Sequence, residues 1–118
     1  MRPGEVSWAV SPICLGTNVF GWTVDEGLSY EILDRYCDLG GNFIDTADSY
    51  SVWAEGNPGG TSETIIGNWI AGRGRREELV IATKVGQMPG FSIYGDQVVR
   101  ESLDASLERL RVDYVDLV

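Results

Sequence analysis

A chain of 118 residues, 43% apolar and 23% charged, has the length of one ordinary domain and the composition of a globular fold, which excludes intrinsic disorder. With 18 acidic against 9 basic side chains, its formal net charge of -9 argues against nonspecific binding to nucleic acid or to anionic membranes, which need clustered Lys and Arg. It has no histidine, so Ser-His-Asp and Cys-His catalytic centres and the usual His-containing zinc sites are excluded, and no metal site is expected.

The opening residues, MRPGEVSWAV, contain one basic residue and no long apolar run, so no secretory signal is expected. No stretch approaches the roughly 18 apolar residues of a membrane span. A cytoplasmic chain with two free thiols, Cys14 and Cys37, each a small buried hydrophobe, is the resulting expectation.

In chain order, β-prone segments fall at 13–15 (Ile-Cys-Leu), 42–44 (Asn-Phe-Ile), 79–83 (Leu-Val-Ile-Ala-Thr) and 114–118 (Tyr-Val-Asp-Leu-Val). Their spacing suits βα units of roughly 30 residues or more. A first helix is predicted over 24–39. Thr23 and Glu26 form a T-x-x-E capping box, Leu28, Ile32 and Tyr36 a buried stripe, and Gly40 a left-handed cap. A second helix starts near Ser62, buries Ile65, Ile66, Trp69 and Ile70, and stops at Gly72. Arg73, Arg75 and Arg76, followed by Glu77 and Glu78, read as a solvated loop. A third helix starts near Asp96 with a stripe of Val99, Leu103, Leu107 and Leu110. Two long strand-to-helix loops, 51–60 and 86–95, lie where α/β proteins keep their active sites.

The order β-α-β-α-β-α-β implies parallel strands with helical crossovers. An open doubly wound sheet and part of a (β/α)8 barrel both fit. A complete barrel takes about 250 residues, so this chain supplies about half of one.

The segment Asn42 to Tyr50, NFIDTADSY, carries the most chemistry. It delivers Asp45 to a strand's C-terminal end, the end that carries catalysis in a barrel, with Tyr50 five residues on. Ile81-Ala82-Thr83-Lys84 delivers a lysine to the end of the next strand. An ammonium beside a phenol favours phenolate, and a carboxylate keeps the ammonium charged and aimed. A phenol so tuned can protonate a carbonyl oxygen while something else attacks the carbon. Taken singly, an Asp here also caps turns and a Lys is also merely solvated, so spacing alone leaves both readings open.

GGNFIDTADSY (40–50), SETIIGNWI (62–70) and VIATKVG (80–86), with LGT at 15–17 and SLERLRVDYVDLV at 106–118, resemble the aldo-keto reductase superfamily. The resemblance covers nearly the whole chain in order. It implies the N-terminal half of a (β/α)8 barrel, an NADPH (NADP) cofactor, and hydride transfer to aldehydes and ketones, or the reverse. It makes Asp45, Tyr50 and Lys84 the catalytic residues. The family's histidine follows the DYVDL-type motif, here Asp113 to Leu117, and the sequence ends at Val118. Gly16, Thr17 and Asn18 match positions along the cofactor, and Asp45 borders the nicotinamide ribose. Asn18 stands where a bulky residue is common. Most of the family's cofactor contacts come from the fifth strand onward. Trp53, and Trp22 with Phe20 after the first strand, match positions around the substrate pocket, whereas Trp69 belongs to the core.

The expectation is therefore one partial domain over 1–118, ending in or just after the fourth barrel strand. It would come from an enzyme acting on a small carbonyl substrate and be inactive by itself. Two alternatives are a non-catalytic nucleotide-binding subunit and a half-barrel that self-associates through exposed sheet edges.

Overall fold

The computed structural model describes residues 9–85 and 96–118. The second long loop, predicted over 86–95, lies outside the described residues. Three short strands, β1 (Leu15–Gly16), β2 (Phe43–Asp45) and β3 (Val80–Ala82), form one parallel sheet in the order β1-β2-β3. Leu15 pairs with Ile44, Gly16 with Asp45 and Asp45 with Ala82. Three helices, α1 (Glu26–Asp38), α2 (Thr61–Arg73) and α3 (Asp96–Leu110), complete the βα units. Each strand lies beside its neighbour in sequence, as in a (β/α)8 barrel. The strand order does not reverse as it does at the switch point of a doubly wound sheet. The fold is part of such a barrel.

The fourth predicted strand is reduced to a single parallel bridge between Ala82 and Leu117. The cause is Asp116. Its Oδ2 accepts the Ile81 amide at 2.8 Å, taking the donor that a longer ladder would need. Arg76 holds the same segment. Its guanidinium donates to the carbonyls of Leu79 (2.8 Å) and Tyr114 (2.9 Å) and to Asp116 Oδ2 (3.0 Å), and it stacks 4.0 Å from the Tyr114 ring. The arginine cluster is thus not simply solvated: Arg75 pairs with Glu78 at the surface, but Arg76 is largely buried.

Helix α1 begins later than its capping box proposes. Residues 19–24 are folded into a tight loop, with the Val24 amide on the Val19 carbonyl, so Asp25 becomes the cap and accepts the Leu28 amide at 2.8 Å. The buried residues of α1 are Ser29 and Leu33; Leu28 is exposed, and Ile32 and Tyr36 are half-buried. Tyr36 is amphipathic: its hydroxyl accepts the Phe43 amide at 3.1 Å. Gly40 closes the helix at φ 94° as expected. Cys14 is exposed, against expectation, and Cys37 packs half-buried on the core.

Helix α2 buries Ile65, Ile66, Trp69 and Ile70 as its pattern requires, but runs through Gly72 to Arg73 and is capped by Gly74 at φ 75°. In α3 the buried residues are Ser102, Ser106 and Leu110, and Val99 is exposed. The helices approach too closely for a leucine stripe. A Cβ added at Gly67 of α2 would stand 2.1 Å from the Arg109 carbonyl oxygen, so small residues fill the contact.

Candidate active site

The ends of β2 and β3 bring Asp45, Tyr50 and Lys84 together. The Lys84 ammonium donates to Asp45 Oδ1 at 2.7 Å, to the Tyr50 hydroxyl at 3.0 Å and to the Thr46 carbonyl at 3.0 Å. The Tyr50 hydroxyl donates to Asp45 Oδ2 at 3.0 Å. Each pair of the trio is hydrogen-bonded, and all three ammonium protons have an acceptor.

Parallel pairing sets this arrangement. Asp45 ends β2 opposite Ala82, and the Thr46 amide bonds the Ala82 carbonyl. Further on, the Asp48 amide donates to the Lys84 carbonyl at 3.1 Å. Ser51, just after Tyr50, holds φ at 68°, a costly value for a side chain with a Cβ. It is tied down by its hydroxyl, which donates to the Phe20 carbonyl at 2.7 Å. The strain sits beside the phenol and is held by the loop that follows β1.

The ion pair itself adds little stability. Lys84 is 51% exposed and Asp45 28%, and exposed pairs are worth about 0–1 kcal/mol. Partial burial opposes the Lys84 charge, but hydrogen bonds to Asp45 and Tyr50 and the Asp45 charge more than offset it, so its pKa lies above the usual 10.5. The folded chain therefore holds this proton more tightly than the unfolded chain. The associated stabilisation is complete below about 10.5 and fades as pH rises through the folded value. Lys84→Met should remove that part of the alkaline decline, a difference read from urea midpoints of the two proteins on either side of 10.5.

Trp22 and Trp53 stand edge to face at 5.6 Å between centroids, with Trp53 6.5 Å from Tyr50. Both are about half exposed, so an aromatic wall flanks the phenol. Gly16 is exposed beside Asp45, and a Cβ there would meet only Asn18 Oδ1, at 3.9 Å. Asn18 is also exposed. Thr17 differs: it is fully buried and all its polar atoms are engaged within the protein. Its hydroxyl donates to the Asp45 carbonyl at 2.8 Å and meets Ser62 Oγ at 2.8 Å. It supports Asp45 from behind and offers a ligand no polar side-chain atom.

Three buried groups escape a reading by pattern. Ser62 joins Thr17 to Thr46 by its hydroxyl. Glu63 is 0% exposed and pairs with Arg109 at 2.7 Å. Asp48 is 2% exposed, its Oδ1 has no partner among the described residues, and burial, then the Glu63 charge, push its carboxyl above the usual range against the pull of Arg109. The one available signal is that Ser62 and Glu63 sit in the first turn of a helix whose next turns are entirely apolar on the same side.

Residues 12–118 match the Aldo/keto reductase family. An uncharacterized 11.2 kDa protein in the crtE 3′ region of Pseudescherichia vulneris is 52% identical over 84 residues, covering 70% of this chain and 82% of that protein. Norsolorinic acid reductase of Emericella nidulans is 40% identical, covering 92% of this chain and 31% of that protein. Among solved structures, the holo form of an aldo-keto reductase from Bacillus halodurans superposes with a TM-score of 0.72 at 31% identity, covering 90% of this chain and 34% of that one. The chain thus spans about a third of the length of the two longer proteins.

Proposed function

We propose that this chain, which belongs to the aldo/keto reductase family, supplies the proton-donating half of an active site that reduces an aldehyde or ketone to an alcohol with NADPH. The observation that carries the reading is the closed triangle of Asp45, Tyr50 and Lys84. NADPH, when bound, supplies the hydride. The open surface at Gly16, which is in register with Asp45, and at the exposed Asn18 beyond it fits the approach of a flat cofactor ring.

Tyr50 gives its proton to the carbonyl oxygen. Its hydroxyl hydrogen is held by Asp45 Oδ2 until a carbonyl oxygen takes over that bond. Lys84 stabilises the negative charge that develops on the phenol oxygen, and Asp45 fixes the ammonium in reach of it. Trp22 and Trp53 wall the space next to the hydroxyl and suit an apolar or aromatic carbonyl compound. The 1–118 stretch acts as one part of a single barrel domain in this reading.

The test is NADPH oxidation with 4-nitrobenzaldehyde by a full-length protein that carries these residues, such as a chimera with the remainder of a longer relative. Turnover is expected. A protein that folds, binds NADPH and shows none overturns the reading.

A further inference from the structure

We propose that Glu63, anchored by Arg109, is a positioning residue for Lys84, acting through the hydroxyl of Thr83. The inference rests on the reading of Lys84 as the partner of Tyr50. Lys84 lies beyond the end of β3, outside the strand ladder, yet its ammonium meets three acceptors at once. Such an arrangement needs a backbone held in place. On one side the Asp48 amide holds the Lys84 carbonyl. On the other, Thr83 is 1% exposed and its hydroxyl donates to Glu63 Oε2 at 2.6 Å. Glu63 Oε1 receives Nε (2.8 Å) and Nη2 (2.7 Å) of Arg109.

The carboxylate is a costly way to fill this space. Burying an ion pair is often no better for stability than apolar packing, and its best-attested use is to fix a geometry. Its neighbours Ile65, Ile66 and Ile70 show that α2 packs apolar side chains here. What Glu63 adds is a charge-assisted acceptor that sets the Thr83 side chain, and with it the peptide leading into Lys84.

Lys84 is the sole lysine of the chain, so amine labelling reports on it directly. In competitive labelling with acetic anhydride, mass spectrometry separates the peptide bearing Lys84 from the α-amine whatever the chain's state of association. Thr83→Val keeps the shape and removes the hydroxyl. It should raise the labelling rate of Lys84 at fixed pH severalfold, because an ammonium drawn off its acceptors gives up its proton more readily. Thr83→Ser keeps the hydroxyl and should label as the parent does. A packing role predicts the opposite order, since valine preserves the contacts and serine loses a methyl. If circular dichroism shows that Thr83→Val is unfolded, Glu63→Asp takes its place: it keeps a charge for Arg109 but draws the carboxylate back from Thr83, and Lys84 should again label faster. Valine labelling at the parent rate, serine labelling as fast as valine, or an unchanged Glu63→Asp overturns the proposal. The readout needs neither cofactor nor substrate, so absence of reductase activity sinks the functional reading and leaves this one standing.

Discussion

Arg109→Met is expected to destabilise the fold by about 3–5 kcal/mol, the usual cost of leaving one partner of a buried ion pair alone. Glu63 has no exposure; besides the Thr83 hydroxyl it is held only by Arg109 among the described residues, through a hydrogen bond from Nε at 2.8 Å and the Nη2 contact at 2.7 Å. Methionine roughly matches the aliphatic stem of arginine, so the loss falls on the charge rather than on packing. Asp48 adds to it. Arg109 opposes the burial and the Glu63 charge that disfavour ionised Asp48, and without it two carboxyl groups share the interior. Because Arg109 also packs against Gly60, whose added Cβ would stand 2.6 Å from Arg109 Cδ, the start of α2 should loosen with it. Urea unfolding of the single mutants and of Arg109→Met with Glu63→Met separates the terms. The double variant should recover much of the loss, since neither charge is then stranded. A single-mutant loss under about 1 kcal/mol, the range of an exposed pair, would show that this pair does not hold α2 to α3.

Hydrophobic period located the elements and the buried face of α2, but misplaced part of the faces of α1 and α3. Ser29, Ser102, Ser106 and Gly67 are polar or small in sequence and would be assigned to solvent, yet all four are buried, and Gly67 lies where α2 and α3 meet most closely. Leu28 and Val99, counted as core by spacing, are exposed. Charge pattern fails for a related reason. Glu63 and Arg109 lie 46 residues apart, and Arg76 and Asp116 lie 40 apart. Each looks solvated in its own segment, and only the crossing of α3 over α2, or of the 114–118 segment over β3, makes it a buried partner.

The trio of Asp45, Tyr50 and Lys84 was legible for the opposite reason. Its geometry depends on short local runs: apolar β-prone residues end at Asp45 and just before Lys84, and adjacent parallel strands then place both ends on one rim. The support behind the trio was not legible, because Thr17 and Ser62 act by hydroxyls that face inward and Ser51 by a backbone angle. No residue type announces either.

Tyr50→Phe should lower carbonyl reduction by about 10²–10⁴-fold in a full-length protein carrying these residues, the usual contribution of a positioned general acid. The substitution deletes one hydroxyl and keeps the ring, so the edge contact with Trp53 and the Lys84 ammonium 4.8 Å from the ring centroid are retained. Lys84 keeps Asp45 Oδ1 and the Thr46 carbonyl as acceptors, so the site should not collapse. The fall should therefore appear in kcat, with NADPH affinity unchanged. The 118 residues alone should turn over no NADPH, in line with a chain that spans 31% of norsolorinic acid reductase and 34% of the Bacillus halodurans enzyme. A phenol can donate its proton usefully only when a hydride is held against the carbonyl carbon, and such orientation is worth about 7–11 kcal/mol of a barrier. NADPH absorbance followed for the 118-residue chain, the full-length protein and its phenylalanine variant decides between outcomes: undiminished turnover by the variant removes Tyr50 from the chemistry, and turnover by the short chain shows that these residues position the cofactor unaided.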